Sequence, residues 1–214
     1  MNVLPGSYAV SEDDPFPAYL SRVLSCSDSK ANGTASTIDG AEPEGHHQTG
    51  PGETVTCVFE NTQTATVIID KETVPEADSA VFDFQWFLPN SEFGEAFTLT
   101  DTQEPKLFAG LNPDQDWGIT EMAEDGWRFL GLECLKGGEP FDGTTADGTE
   151  AILNPAPGDV ITCTCTNGKR GPVDISKTVT SGPDLNADST YTVTYSIGVS
   201  SESFVTEQYN LWTR

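Results

Sequence analysis

Basic residues are scarce in this 214-residue chain: Lys and Arg number 10 against 34 Asp and Glu, and the formal net charge is −24. A surface that acidic repels phosphates, which excludes nucleic acid as a partner. Long hydrophobic runs are missing too. No 18-residue apolar stretch occurs, so no segment is expected to span a membrane as a helix. Apolar residues at helical spacing are equally wanting, and helices are not expected. There is no Gly-x-Ser-x-Gly elbow and no phosphate-binding glycine loop, and neither of the 2 His stands in a catalytic context. The chain is therefore not expected to be an enzyme, and no cofactor or metal is implied. The residues after Met1 read as mid-module sequence rather than as a secretory leader, so a piece of a longer protein is expected.

What is abundant favours strands and turns. Hydrophobic content is 36%, with 20 Gly and 14 Pro among many Thr, Val and Ser. The order is not random, because the chain repeats itself at a period of about 106 to 109 residues. Leu4-Pro5-Gly6-Ser7-Tyr8-Ala9-Val10-Ser11-Glu12 answers to the stretch from Leu111 to Glu121, and Tyr19 answers to Trp127. Pro51 to Asn61 answers to Pro157 to Asn167, and each Asn is followed ten residues later by a lysine strand, carrying Lys71 and then Lys177. Three units follow: residues 1–64 as the back part of a first module, 65–169 as a complete second module, and 170–214 as the first strands of a third.

Within the second module strands are expected at 66–71, 80–87, 96–100, 106–109, 116–121, 127–134, 150–153 and 159–167. Phe82, Phe84 and Trp86 alternate on one face, as do Phe97 and Leu99. Seven or eight short strands in about 100 residues predict an all-β immunoglobulin-like sandwich. Segments 27–50 and 135–149, rich in Gly, Ser and Asp, read as loops. Tyr191, Val193, Tyr195, Ile197 and Val199 form a strand face in the third unit. Trp86, Trp117 and Trp127 read as core, whereas Trp212 has no assignable place. The junction from Asn61 to Thr66 is so short that neighbouring modules are expected to join stiffly.

Five cysteines punctuate the repeat. Equivalence between repeats pairs Cys26 with Cys57 and Cys134 with Cys163, which points to an oxidising, extracellular compartment. Cys165 stands where the first module has Phe59 and is left over, although pairing of Cys134 with Cys165 remains open. Cys163-x-Cys165 and His46-His47 do not make a zinc motif: the spacing is not a knuckle, and the histidines lie in another module.

Three polar residues stand in rows that should be apolar. Strand alternation groups Lys71 with Val67 and Ile69, Glu121 with Trp117 and Ile119, and Asn167 with Ile161, Cys163 and Cys165. Burying one such group alone is costly, and burying three makes sense if they meet. A desolvated lysine loses its proton readily and becomes a nucleophile, while a desolvated carboxyl keeps its proton and can donate it. The asparagine amide offers a carbonyl for the amine to attack. The expected outcome is a Lys71–Asn167 amide cross-link promoted by Glu121, formed once per molecule. Glu12 and Asn61 match two parts of this triad in the first module, and Lys177 matches its third part in the last.

At these residues the chain resembles the prealbumin-like, collagen-adhesin B-type (SpaA-like pilin) domains of bacterial surface proteins. Leu4 to Glu12 fits their Gly-x-Tyr-x-Val-x-Glu-like run closely, whereas Asn112-Pro113-Asp114-Gln115-Asp116-Trp117 departs from it while keeping Glu121 in register. The resemblance covers roughly residues 1 to 168. From Val173 onward the chain resembles the start of another repeat module of large secreted proteins. It implies tandem prealbumin-like sandwiches and a cell-surface stalk or spacer of an adhesin or pilin. Its partners would be neighbouring modules, with head-to-tail self-association and a host or matrix ligand as further expectations. The alternative is an extracellular sandwich that binds a glycan, a protein or calcium.

Overall fold

The computed structural model describes residues 4, 6–29, 44–91, 93–142 and 144–206, and every regular element among them is a β-strand. The first unit contributes β1 (Gly6–Ser11), β2 (Tyr19–Asp28), β3 (Glu44–Thr49) and β4 (Val55–Gln63). They make two antiparallel pairs, β1 with β3 and β2 with β4. The last unit is one long hairpin of β15 (Val173–Leu185) and β16 (Tyr191–Ser201), and β16 carries the tyrosine and valine face read from the sequence. Trp212 lies outside the described residues.

Between them stands a closed sandwich. Its strands are β5 (Ala65–Val74), β6 (Phe82–Phe87), β7 (Gly94–Leu99), β8 (Lys106–Leu111), β9 (Trp117–Glu121), β10 (Trp127–Lys136), β11 (Glu139–Pro140), β12 (Thr144–Asp147), β13 (Glu150–Leu153) and β14 (Val160–Lys169). One sheet has the order β11-β10-β14-β5-β8 and the other β12-β13-β9-β6-β7. The first and last strands of the module, β5 and β14, lie side by side and parallel at the centre of their sheet.

Alternation builds the core. Val67 and Ile69 of β5 and Ile161, Cys163 and Cys165 of β14 are fully buried from one sheet. Phe82, Phe84 and Trp86 of β6, Ile119 of β9 and Leu153 of β13 meet them from the other. Trp86 stacks between Phe108 at 4.4 Å and Trp117 at 5.5 Å between centroids, contacts that add to the area these rings bury. Trp117 and Trp127 are buried as well.

Two segments expected to be loops contain strands. Residues 27–50 include β3, and residues 135–149 include β11 and β12. These strands pair at sheet edges, and their polar sequences carry no alternating apolar row. The Asp147-Gly148 pair, read as loop composition, turns β12 into β13 with Gly148 at φ +63°, a conformation glycine accepts freely. His46 and His47 therefore lie on a strand, with their side chains outside those described. The leftover thiol is settled: Cys134 bonds Cys163, Cys26 bonds Cys57, and Cys165 is a buried free cysteine.

Candidate functional site

Lys71 is placed by β5. The run Ala65 to Val74 is rich in β-branched residues, and its inward positions are buried one after another as far as Thr73. Lys71 is the fourth inward residue and is 1% exposed. It sits opposite Cys165 in the parallel register, and Asn167 follows two residues on, on the same face of β14. The end of β5 is anchored by Asp101, whose Oδ2 accepts from Thr73 Oγ1 at 2.6 Å and from the backbone N–H of Ala77.

Glu121 comes from the facing sheet. It closes β9, where its own N–H donates to Thr149 and the next N–H, of Met122, donates to Asp83. Earlier in the strand Gly118 lies under the Phe87 ring with no room for a Cβ, which sets β9 close against β6. Glu121 and Asn167 are each 2% exposed, so all three polar groups meet between the sheets, out of contact with solvent.

Their hydrogen bonding is incomplete in an informative way. Lys71 Nζ donates to the carbonyls of Glu72 at 2.7 Å and Cys165 at 3.0 Å. It lies 3.9 Å from Glu121 Oε2, beyond hydrogen-bond length, and 4.1 Å from the centre of the Phe82 ring. Asn167 Nδ2 donates to Glu121 Oε1 at 2.5 Å. Two buried oxygens, Glu121 Oε2 and Asn167 Oδ1, have no hydrogen-bond partner. Both are acceptors when Glu121 is ionised, so the pair is short of one donor.

Burial sets the protonation states. It lowers the Lys71 pKa below the ordinary lysine value, opposed first by the Glu121 carboxyl. It raises that of Glu121, opposed first by Lys71 and then by the Asn167 hydrogen bond. Both shifts favour the neutral forms, as desolvation requires. A neutral amine has two N–H groups, which the two carbonyls accept, and a lone pair left over. Burial, and then the Glu121 carboxyl, push the Cys165 thiol well up, so Cys165 stays a neutral thiol beside the triad.

The other sequence candidates lie apart. Asn61 Nδ2 donates to both Glu12 carboxylate oxygens, at 2.8 and 2.9 Å, on the surface of the first unit. Lys177 lies 4.1 Å over the Tyr195 ring in the last hairpin. Sequence reasoning took Phe82 only for core and Cys165 only for a filler. Their places beside Lys71 become legible once the module's first and last strands are paired in parallel. Among the described residues no group of three His, Cys, Asp or Glu is disposed to hold a metal ion, and no helix is long and apolar enough to cross a membrane.

Comparison with known families matches residues 67–169 to a prealbumin-like fold domain. No curated protein matches the chain. Among solved structures, a Mobiluncus mulieris adhesin, described as containing intramolecular disulfide, isopeptide and ester bond cross-links, is 14% identical with a TM-score of 0.37. That match covers 52% of this chain and 44% of the adhesin, so the chain spans less than half of its length. The major pilin of Streptococcus pyogenes is 16% identical with a TM-score of 0.43, covering 76% of this chain and 70% of the pilin. The T-13 major pilin of the same species is 16% identical with a TM-score of 0.40, over 75% and 66%.

Proposed function

Residues 67–169 form a prealbumin-like fold domain, and on that premise we propose that it is a load-carrying module of a bacterial surface stalk, covalently locked by an amide bond from Lys71 to Asn167. The supporting observation is the buried triad: a nearly inaccessible lysine with a depressed pKa, a carboxyl with a raised one, and an asparagine bonded to that carboxyl.

Glu121 carries the proton that the pair lacks. Placed on Oε2, that proton supplies the donor for Asn167 Oδ1, so both orphan oxygens are satisfied and the amide carbonyl is polarised. The neutral Lys71 amine attacks Asn167 Cγ. A C–N bond forms, the Cγ–Nδ2 bond breaks, and Glu121 relays a proton from the amine to the departing nitrogen, which leaves as ammonia. Exclusion of water protects the intermediate. Phe82 and the sheet carbonyls hold the amine in place, which is most of what an intramolecular reaction needs.

The product joins the first strand to the last and removes one titratable group, the Lys71 amine, from the core. The loop it closes is about 96 residues long, and by analogy with a disulfide of that span it stabilises the module by roughly 4–5 kcal/mol. The surface location draws on the two disulfides, which persist in oxidising compartments.

Intact mass spectrometry tests the reading. The wild-type chain, with its disulfides accounted for, should be lighter than its sequence by one ammonia, and digestion should yield one branched peptide containing Lys71 and Asn167. Lys71→Met and Glu121→Gln should fold and show their full masses. A wild-type chain at its full unreacted mass sinks the proposal.

A further inference from the structure

The triad is packed shut on its amine side and meets a cavity on its amide side. Lys71 Nζ is held by the Glu72 and Cys165 carbonyls and lies against the Phe82 ring. The hollows that open beside Glu72 reach none of the three residues. By contrast, a cavity of about 280 Å³ runs between the end of β9, the loop 122–126 and the start of β10, and its lining includes Glu121 and Asn167 but not Lys71. Both of those residues are only 2% exposed, so the cavity ends at the triad without opening it to bulk solvent.

Backbone hydrogen bonds make the loop a fixed wall. The N–H of Met122 donates to Asp83 at 2.8 Å, that of Trp127 to Glu124 at 3.1 Å, and that of Arg170 to Gly126 at 2.8 Å. Two further lining residues border the reacting groups directly. The Thr149 carbonyl accepts from the Glu121 N–H, and Phe129 stands opposite Asn167 in the β10–β14 ladder. The inner walls are thus largely apolar, with Trp127 beside Phe129, whereas Glu124 and Asp125 are exposed at the mouth. Close-packed interiors hold few voids larger than a water molecule. This one stops at the two groups that hold the nitrogen to be expelled: Asn167, which loses Nδ2, and Glu121, which Nδ2 contacts.

We propose that this cavity is the leaving-group site of the amide-forming reaction, receiving ammonia from Asn167 and passing it to solvent between the loop 122–126 and Thr149. The inference rests on the reading of Lys71, Glu121 and Asn167 given above. The amine approaches Asn167 Cγ from the packed side and the C–N bond forms there. The Cγ–Nδ2 bond breaks as Glu121 hands Nδ2 a proton, and neutral ammonia enters the apolar inner part of the cavity. At the mouth it takes a proton from water, and the ammonium ion leaves past Glu124 and Asp125. Without such a space the product would stay where it formed. One ammonia confined to a water-sized volume of ~30 Å³ is at about 55 M, and its return to the new carbonyl, the exact reverse of the step, would compete with escape. Escape through the cavity makes the bond permanent.

Filling the cavity tests this. Full-length chain is made by cell-free synthesis, and its intact mass is followed against time over a range of pH. Thr149→Phe puts a ring into the space and should slow the loss of ammonia by roughly tenfold or more, because product release then limits the rate. Thr149→Val, which changes the hydroxyl and not the volume, should match wild type. Ala123→Trp fills the cavity from the opposite wall and should act as Thr149→Phe does. Thermal unfolding of each filler in the Glu121→Gln background shows that it folds, and whichever filler folds decides the matter. The pH profile separates a blocked exit from a displaced carboxyl: a blocked exit lowers the whole profile and leaves its acid and alkaline limbs in place. Fillers that react at the wild-type rate, limbs that move, or a Thr149→Val chain as slow as Thr149→Phe would each overturn the proposal. Wild-type chain that loses ammonia while the fillers keep pace refutes this site alone, whereas wild-type chain that stays at full mass refutes the cross-link as well.

Discussion

At the scale of single residues, Lys71 and Glu121 are a pair that cannot hold two charges cheaply. Removing an ammonium and a carboxylate from water costs several kcal/mol each, and at 3.9 Å their attraction recovers part of it. Burial accordingly moves the lysine down and the carboxyl up. In the unreacted module the lysine's contribution to stability is present at alkaline pH and is lost as pH falls through its lowered value. The carboxyl's is present in acid and is lost as pH rises through its raised value. Between the two values the pair holds one proton, shared either as amine and acid or as ammonium and carboxylate. The ratio of these forms does not depend on pH, because they carry the same number of protons. The rate of ammonia loss should therefore be flat around neutrality. It should fall in acid, where a second proton disarms the amine, and in alkali, where Glu121 has none to give. Cell-free synthesis of unreacted chain into buffers of different pH, followed by intact mass against time, measures this. A rate rising tenfold per pH unit across neutrality would show that Glu121 does not act as the acid.

At the scale of elements, the features that came through from sequence were those fixed by period. The alternation of Val67, Ile69 and Lys71, and of Phe82, Phe84 and Trp86, placed β5 and β6 within three residues of their observed ends, since a one-residue slip would turn each row to solvent. Repeat equivalence similarly paired the cysteines. The polar edge strands β3, β11 and β12 escaped because an edge takes its order from backbone pairing, which leaves no hydrophobic signature. The company kept by Lys71 escaped for another reason. Its neighbours Cys165 and Phe82 follow from β5 lying parallel to β14 and facing β6, which is a tertiary fact. The Cys134–Cys163 bridge ties β10 to β14, the strand that carries Asn167. In the Glu121→Gln background, where no amide bond masks the effect, replacing both cysteines by alanine should destabilise the module by about 3–4 kcal/mol, the value for a loop of this length. Thermal unfolding of the two proteins gives the comparison, and equal melting temperatures would contradict it. Asp101→Ala should cost less, about 1–2 kcal/mol, because the Thr73 hydroxyl keeps the Pro75 carbonyl as an acceptor and the Ala77 N–H that loses its partner is exposed.

At the scale of the whole molecule, the chain is a succession of units joined with almost no slack. β4 ends at Gln63 and β5 begins at Ala65, and the single residue between them, Thr64, is buried and donates to Pro17 and Ala18 of the first unit. At the other end the N–H of Phe204 donates to Lys169, and Val205 packs so closely over Gly168 that a Cβ there would have no room. A pull along the chain enters the middle module at the start of β5 and leaves at the end of β14. These two strands are parallel neighbours, so the load shears their whole ladder at once instead of opening it bond by bond. An amide bond between Lys71 and Asn167 would sit in that ladder and carry the force once it is loaded. Single-molecule stretching of the chain between fixed handles should then give no unfolding step for the wild-type module beyond the few residues outside the bond. The Glu121→Gln variant should instead lengthen by roughly 250 Å, from about 75 residues left free by the intact disulfide at ~3.4 Å each. Reduction should extend that step in the variant and leave the wild type unchanged, since the disulfide lies inside the loop that the amide bond closes. A wild-type module that lengthens as far as the variant would mean that force is borne by hydrogen bonds and packing alone.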